Sequence, residues 1–336
     1  RGEYVRGAGL EINEGPDEQP SGNQVKLEIS HVGICGTDLH LLDGAMDHRT
    51  GARQVIGHEA SGVVVARGPD AELEIGTHAA LIPVRQCGQC PACRAGNGHV
   101  CQELVFLGID APGALRRTMV VDASLLVPID PSVPREHGAL VEPTAVAVHD
   151  VRRAEVRDGD VVVVVGGGPI GALIAVVARH SGADVVVVEI DPYRQRMIRN
   201  LGFEVLDAAT TDVESVVLKR TDDAGADVAF EVSGAEAGVA TAVGVLKVRG
   251  VLGLVAVHPQ PRAVDLHRFF WRELTLRGAR LYDRSDFERA TELLASGVVP
   301  AEALISRVFP LEQAANAAEV LIAKADVMKV LVSCNA

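Results

Sequence analysis

Two short motifs hold the residues whose types best suit metal chemistry: CGTDLH at residues 35–40 and GHE at residues 57–59. They offer the thiolate of Cys35 and the imidazole of His58, and both kinds of side chain bind zinc. Either motif alone is weak evidence, because Cys-Gly and Gly-His dipeptides are common in loops. The segment between them reads as a crossing from one strand to another, which can return both side chains to one point. Together the motifs therefore predict a zinc site.

Four of the six cysteines are crowded into the segment 87–101, with the spacing C-x2-C-x2-C-x7-C at Cys87, Cys90, Cys93 and Cys101. This crowding is poor geometry for disulfides and typical of a metal site. Four thiolates close a tetrahedron around zinc and leave no position for a substrate, so the predicted zinc is structural. A cluster of free thiols is the alternative interpretation.

A glycine-rich turn, GGGPIG at residues 166–171, follows a run of five valines. An alanine-rich helix then runs to about residue 182, and a second apolar strand at residues 185–188 ends in an acid. This order of strand, G-x-G-x-x-G turn, helix, strand and acid is the dinucleotide-binding pattern. Gly166 permits the tight turn, Gly168 lets a pyrophosphate approach the backbone, and Gly171 lets the helix lie close to the sheet.

Glu189, the acid at the end of the second strand, favours NAD over NADP. Glu189 lies 23 residues beyond Gly166, where a carboxylate accepts hydrogen bonds from the adenosine ribose and repels a 2′-phosphate. NAD is therefore predicted. Arg194 leaves NADP open, because a nearby guanidinium can help to hold a phosphate. The residues predicted to bind the cofactor are Gly166, Gly168, Pro169, Ile170, Gly171, Glu189 and Arg194.

Length, composition and charge limit the classes of protein that fit. A chain of 336 residues is long for one core and favours two domains. A formal net charge of −13 argues against nucleic-acid and anionic-membrane partners. No apolar run is long enough to span a bilayer, and no opening segment reads as a signal peptide. A soluble, cytoplasmic protein is expected.

The pattern of predicted elements changes near residue 138. Strands are predicted before it at residues 24–30, 61–66, 79–84 and 119–129. After it, strands at 161–165, 185–188, 204–206, 227–232, 250–257 and 275–278 alternate with helices, including 212–221 and 235–248. Right-handed crossovers assemble such strands into a parallel sheet covered on both faces. Helices at 285–296 and 311–324 and a strand at 327–332 end the chain. The predicted fold class is α/β, with a β-rich part and a doubly wound parallel sheet.

The chain resembles the zinc-containing medium-chain dehydrogenases over nearly its whole length, and most of all the branch of sorbitol, butanediol and threonine dehydrogenases. The resemblance rests on CGTDLH, GHE, the four-cysteine segment, Val141-Glu142-Pro143, the GGGPIG turn and Glu189, in that order. It implies a GroES-like catalytic domain at residues 1–142, completed by 279–336, and a Rossmann NAD-binding domain at 143–278. It also implies a homodimer or homotetramer, paired through the strand at 275–278.

The resemblance also implies roles for individual residues. Cys35 and His58 correspond to two ligands of a catalytic zinc, and the third position falls on Glu142, unless Glu142 is a solvated acid of the linker. Glu59 is interpreted either as a water-bridged neighbour or as an alternative ligand. Asp38 matches the carboxylate that orients the zinc-bound imidazole. Two zinc ions per chain, one catalytic and one structural, are therefore expected.

The implied reaction is hydride transfer from an alcohol to NAD, with zinc acting as a Lewis acid. Thr37 is placed to take the hydroxyl proton, and His40 to pass it to solvent. His40 has an alternative interpretation as an exposed loop histidine. The chain departs from the family pattern at residues 74–78 and at 114–118, and the second departure leaves the substrate uncertain.

The function predicted from the sequence is oxidation of a secondary alcohol, diol or polyol to a ketone by a zinc-dependent, NAD-dependent dehydrogenase. L-threonine or an aldose is an alternative substrate within the same family. A catalytically inactive NAD-binding zinc protein is the alternative from another class. The acidic charge makes a zinc-ribbon nucleic-acid module a poor third.

Overall fold

The chain folds into two units, and the second is inserted in the sequence of the first. The computed structural model describes residues 1–258, 260–323 and 326–335. The first unit comprises Arg1–Pro143 with Asp283–Ala336, and the second comprises Thr144–Tyr282.

The strands and helices are numbered in chain order. The strands are β1 (Gly2–Val5), β2 (Gly9–Ile12), β3 (Gln24–Ile34), β4 (Arg53–Val55), β5 (Glu59–Arg67), β6 (His78–Leu81), β7 (Val84–Arg85), β8 (Val105–Phe106), β9 (Thr118–Asp122), β10 (Leu126–Pro128), β11 (Val161–Val165), β12 (Asp184–Val188), β13 (Glu204–Leu206), β14 (Ala226–Glu231), β15 (Leu246–Leu254), β16 (Thr275–Gly278), β17 (Ile305–Pro310) and β18 (Lys329–Ser333). The helices are α1 (Gly36–Leu42), α2 (Pro91–Arg94), α3 (Val141–Ala154), α4 (Pro169–His180), α5 (Pro192–Asn200), α6 (Val213–Arg220), α7 (Glu236–Gly244), α8 (Leu266–Arg272), α9 (Arg284–Ala295), α10 (Ala301–Leu304) and α11 (Ala314–Ile322).

Strand β3 is the centre of the first unit. Its apolar residues alternate, and Val25, Leu27 and Ile29 are fully buried, as the period of a half-buried strand requires. It pairs antiparallel with β5, β9 and β18 in a sheet of order β10-β6-β5-β3-β18-β17. Two smaller sheets, β2-β1-β4 and β7-β8, belong to the same unit.

The second unit is built on a parallel sheet of order β13-β12-β11-β14-β15-β16. This is the doubly wound order 3-2-1-4-5-6. All strands run parallel, but after the third strand the chain crosses back and adds the fourth on the other side of the first. The last four valines of β11 and the alanine-rich face of α4 are buried, which explains why both elements read as continuous apolar runs. The predicted α/β class with a doubly wound sheet is confirmed.

Strand predictions fail where backbone chemistry interrupts an apolar run. The predicted strand at 79–84 breaks after Leu81, because Pro83 has no N–H to donate to a neighbouring strand. The predicted strand at 119–129 is divided by a 3₁₀ turn, Ala123–Leu125, which the Asp122 side chain caps. By contrast, the strands at 161–165, 204–206 and 275–278 are confirmed to the residue.

Helix predictions fail mainly at their ends. The predicted helix at 235–248 stops at Gly244, and β15 begins two residues later because Val245 and Leu246 enter the buried side of the sheet. The predicted helix at 311–324 begins as a 3₁₀ turn, Leu311–Gln313, and residue 324 lies outside the described residues. Helix α8 was not predicted. Within the part of the chain that the structure describes, no helix combines the length and apolar character needed to cross a membrane.

We expect His78 to make the first unit sensitive to mild acid. Burial, with added repulsion from Arg135 and His31, lowers the pKa of His78 to about 4, while an unfolded chain titrates its histidines near 6.5. The unfolded state therefore binds more protons below pH 6.5. The stabilisation is complete above that pH and is lost progressively towards pH 4.

Urea denaturation at a series of pH values measures this effect. His78→Gln should flatten the loss of stability between pH 6.5 and 4, whereas His48→Gln, which changes an exposed histidine, should leave it unchanged. Equal pH dependence of the wild type and the His78 variant would contradict the prediction.

Candidate active site

The end of β3 and the start of β5 place the two predicted zinc ligands side by side. Cys35 directly follows β3, His58 directly precedes β5, and Gly33 is paired with Glu59 across the two strands. Cys35 also caps helix α1: its sulfur accepts a hydrogen bond from the N–H of Thr37 at 3.3 Å. The predicted crossing that returns both side chains to one point is therefore what the strand register produces.

The distance between the two side chains shows how a metal would fit. The Sγ of Cys35 lies 3.0 Å from Nε2 of His58, a hydrogen-bonding contact. Sulfur and nitrogen ligands of one tetrahedral zinc lie about 3.5 Å apart, so the pair would separate by about half an ångström on binding zinc. The Phe106 ring packs edge-on against the imidazole, with the ring centroids 5.2 Å apart. The pair fits zinc after a small adjustment.

Asp38 lies behind the imidazole. Its Oδ1 is 3.6 Å from Nδ1 of His58, which is longer than a hydrogen bond. Its other oxygen accepts a hydrogen bond from the Cys35 N–H at 3.0 Å. Asp38 thus lies next to both predicted ligands. To orient His58 by a hydrogen bond, its Oδ1 must move slightly closer to the Nδ1 of the imidazole.

The surroundings of His58 are strongly negative. Burial alone lowers the pKa of His58, but Cys35, Asp38 and Glu142 raise it, and the net pKa is well above the ordinary 6.5. A pocket that stabilises positive charge on the imidazole also suits a divalent cation, and its donor set of thiolate, imidazole and carboxylate suits zinc.

Two acids compete for the third ligand position. Among the described residues, the donor atoms of Cys35, His58 and Glu59 lie within 4.8 Å of one another, and the carboxylate of Glu142 is outside that group. Glu142 is nonetheless buried near the start of α3 and acts electrostatically on His58. The structure brings both acids to this region and does not by itself select Glu142.

Lys329, which sequence reasoning missed, is the cation of this pocket. It is the first residue of β18, it is buried, and its ammonium forms an ion pair with Glu59. Burial lowers the pKa of Lys329, but Glu59, Cys35 and Glu142 raise it, so the net shift is upward. Gly33 leaves the space for this pair, since a Cβ there would collide with the Glu59 carboxylate. The available signal was a lone lysine in an otherwise apolar strand.

The residues of the predicted proton path lie on α1. Thr37 is half-buried beside Cys35. His40 is exposed, and its Nδ1 lies 3.6 Å from an Asp43 carboxylate oxygen. The structure thus places His40 at the solvent surface of a helix and not in a loop. This position suits a group that releases protons and equally suits an ordinary exposed histidine.

The four-cysteine segment forms a closed cluster. The sulfur atoms of Cys87 and Cys93 lie 4.0 Å apart, and those of Cys90 and Cys101 lie 3.8 Å apart. Neighbouring sulfurs around a tetrahedral zinc lie about 3.8 Å apart, so the cluster is close to the size that zinc requires. A hydrogen bond from the Cys93 N–H contributes most to lowering the pKa of Cys90, to about 6, whereas desolvation raises the pKa of Cys93 to about 12. Cys90 is therefore the member of this pair that favours the thiolate form, which binds metal.

The glycine-rich turn has the backbone geometry of a phosphate site. Gly166 has φ +111°, a conformation that L side chains rarely adopt. Gly168 caps α4, Pro169 and Ile170 are its first residues, and a Cβ at Gly171 would collide with the Gly166 carbonyl. The turn therefore requires glycine at positions 166 and 171, and its backbone fits a dinucleotide pyrophosphate.

Glu189 and Arg194 both lie next to this turn. Glu189 accepts backbone hydrogen bonds from Gly167 at 2.8 Å, Ile190 at 2.7 Å and Asp191 at 2.8 Å. A carboxylate accepts about four, so capacity for a ribose hydroxyl remains, but Glu189 also shapes the turn, which the sequence did not indicate. The Arg194 guanidinium lies 3.6 Å from the Cβ position of Gly168, within reach of a phosphate.

The chain combines a sheet of the dinucleotide-binding type with two cysteine-containing clusters of possible metal ligands. This combination is typical of zinc-dependent dehydrogenases. Residues 21–131 match the family model of the alcohol dehydrogenase GroES-like domain, and residues 169–296 match that of zinc-binding dehydrogenases.

Individual dehydrogenases also resemble this chain in sequence and in structure. The chain is 41% identical to 2-dehydro-3-deoxy-L-galactonate 5-dehydrogenase of Pseudoalteromonas atlantica, over 99% of this chain and 98% of the relative. It is 30% identical to L-galactonate-5-dehydrogenase of Escherichia coli, over 89% and 88%. A solved E. coli short chain alcohol dehydrogenase complexed with the cofactor NADH has a TM-score of 0.91 at 25% identity, covering 99% of this chain and 98% of that one. The chain belongs to the zinc-containing medium-chain alcohol dehydrogenase family and is an oxidoreductase with that family's activity.

We expect Lys329 to be required for the stability of the first unit. Lys329→Met leaves the Glu59 carboxylate buried without its partner, and breaking a buried ion pair costs about 3–5 kcal/mol. The free energy of unfolding, measured by urea denaturation, should fall by about 3 kcal/mol. Adding Glu59→Gln should recover part of the loss. Lys219→Met removes an exposed lysine and should change little; an equally small change for Lys329→Met would refute the prediction.

Proposed function

We propose that the chain is an NAD-dependent zinc dehydrogenase that oxidises a secondary hydroxyl of a polyhydroxylated substrate, most specifically a sugar acid, to a ketone. The observation that carries this proposal is the contact between Cys35 and His58 in a buried acidic pocket. The sugar-acid class is supported by the two relatives above, a 2-dehydro-3-deoxy-L-galactonate 5-dehydrogenase and an L-galactonate-5-dehydrogenase.

We assign the catalytic zinc to Cys35, His58 and Glu142, with Glu59 as the alternative third ligand, and the structural zinc to Cys87, Cys90, Cys93 and Cys101. Bound zinc supplies a Lewis acid that acidifies the substrate hydroxyl, and bound NAD accepts the hydride. Thr37 takes the hydroxyl proton, and the exposed His40 releases it to solvent. Asp38 holds the imidazole of His58 in place.

The domain roles follow the same assignment. The catalytic domain is residues 1–142 with 279–336, and the NAD-binding domain is residues 143–278; the two structural units, with boundaries at Pro143 and Asp283, support this division. A homodimer or homotetramer paired through β16 is supported by the position of β16 at the edge of its sheet and by its exposed Leu276. A cytoplasmic location remains a prediction.

A metal and activity assay tests the catalytic assignment. The wild type should hold two zinc ions per chain and form NADH with a secondary hydroxyl of a sugar acid or polyol. Cys35→Ser should lose one zinc and the activity together. Cys334→Ala, which changes a buried cysteine outside both clusters, should keep both.

Different results point to the alternatives. Failure of the wild type to oxidise any secondary alcohol with NAD or NADP would refute the proposed activity. If it also retains only one zinc, the inactive NAD-binding protein is the better description. Activity confined to L-threonine or an aldose would select the other substrate class.

Cofactor preference tests Glu189 and Arg194. Glu189→Ala removes the charge that repels a 2′-phosphate, so the ratio of kcat/KM for NADP to that for NAD should rise about tenfold or more. Adding Arg194→Ala should reverse most of that rise, because the guanidinium beside Gly168 would no longer hold the phosphate. An unchanged ratio in Glu189→Ala would show that the acid does not select the cofactor.

A further inference from the structure

A buried glutamate and a histidine form a dyad at the carboxyl edge of the parallel sheet, and no role described so far uses them. Glu231 is the last residue of β14 and is fully buried. His258 lies four residues beyond the end of β15. Its Nε2 is 2.9 Å from Oε2 of Glu231.

The glutamate is fixed by its other contacts. Its Oε1 accepts hydrogen bonds from the N–H of Ser233 at 2.9 Å, the hydroxyl of Ser233 at 2.5 Å and the N–H of Gly234 at 3.0 Å. Its main-chain carbonyl accepts bonds from the N–H groups of Val255 and Ala256, both at 3.1 Å. One residue thus holds together the loops that follow β14 and β15.

These loops adjoin the phosphate turn. A Cβ at Gly166 would lie 2.9 Å from the Ser233 nitrogen, so the turn and the loop after β14 are in close contact. In the strand order of this sheet, a dinucleotide lies across the carboxyl edge, with one mononucleotide over each half of the sheet. Glu189, which directly follows β12, belongs to the adenosine half. The loops after β14 and β15, which carry Glu231 and His258, therefore belong to the nicotinamide half.

The bond to Glu231 determines what the other ring nitrogen can do. An ionised carboxylate only accepts hydrogen bonds, so Nε2 of His258 carries a proton and Nδ1 of the neutral ring is an acceptor. Among residues 1–258, 260–323 and 326–335, none bonds this Nδ1, which is shielded from solvent. A buried acceptor without a donor is destabilising, so a ligand that supplies an N–H at this position is favoured.

We infer that His258, oriented by Glu231, accepts a hydrogen bond from the carboxamide N–H of the nicotinamide and so positions that ring. This inference rests on the proposed function, because it requires that the chain bind NAD. His258 is the group that contacts the cofactor, and Glu231 is a positioning residue that fixes the tautomer.

Two NAD derivatives isolate this bond. ADP-ribose lacks the nicotinamide ring, and 3-acetylpyridine adenine dinucleotide keeps the ring and its carbonyl but has a methyl group in place of the amide NH₂. Calorimetry on the full-length, zinc-loaded protein at about pH 8.5, above the ordinary range of imidazole titration, would measure all three affinities. The wild type should bind NAD about tenfold more tightly than the acetylpyridine analogue.

His258→Ala should bind ADP-ribose as the wild type does, lose about tenfold in affinity for NAD and no longer distinguish NAD from the analogue. His267→Ala is the matched control, because it removes an exposed histidine of the same unit, and all three affinities should stay unchanged. Binding of ADP-ribose also shows that the variant is folded.

Glu231→Gln provides an independent test that keeps the imidazole. A glutamine amide that donates to Nε2 moves the ring proton to Nδ1, which can then no longer accept from the carboxamide. The preference for NAD over the analogue should disappear although His258 is present. If His258→Ala fails to bind ADP-ribose, this variant decides the question.

The outcomes separate this inference from the proposed function. A wild type that binds none of the three ligands refutes the NAD-dependent function. The role of His258 is refuted, and the NAD-dependent function left standing, by a wild type that binds all three ligands without preferring NAD to the analogue. It is refuted equally by a variant that still binds ADP-ribose as the wild type does and keeps the preference for NAD.

Discussion

A buried concentration of negative charge is the constraint on which the first unit depends. Cys35, Asp38, Glu59 and Glu142 all act on one small volume at the end of β3, where they raise the pKa of His58 or Lys329. Charges removed from water are costly unless they are paired. Among the described residues, Lys329 places a permanent cation there, and His58 adds an imidazole that attracts a proton. A divalent metal is the natural complement of what remains.

The long-range pairing of β3 assembles this charge. Its antiparallel partner β5 brings His58 and Glu59, and its other partner, β18, brings Lys329 from the far end of the chain. A shift of either strand by one residue would turn these side chains to the opposite face of the sheet. Strand register therefore determines both the stability of this unit and the geometry of the site. The second unit differs, because its dinucleotide turn is made by backbone groups that are neighbours in sequence.

This difference explains how much the sequence could predict. The glycine-rich turn, the strand before it and the four-cysteine cluster depend on local spacing, so their positions could be inferred before the structure was known. Lys329 could not, because its partner Glu59 is 270 residues away in sequence, and a lysine in a terminal apolar strand has no local signature. Glu142 was identified by family resemblance and not by spacing. Geometry shows why that step was necessary, since the carboxylate of a second buried acid, Glu59, lies within 4.8 Å of the donor atoms of Cys35 and His58.

The ion pair also bears on which acid can bind the metal. If Glu59 turned to a zinc ion, it would leave the ammonium of Lys329 buried next to a dication, without its counter-charge. Both the loss of the pair and the new repulsion oppose that movement. Glu142 acts on Lys329 less strongly than Glu59 does, so its movement towards the metal disrupts less. Proximity favours Glu59 and charge balance favours Glu142. In a pocket this well shielded from water, leaving Lys329 without its counter-charge is costly. That cost opposes the use of Glu59 as a ligand and agrees with the proposed assignment of Glu142.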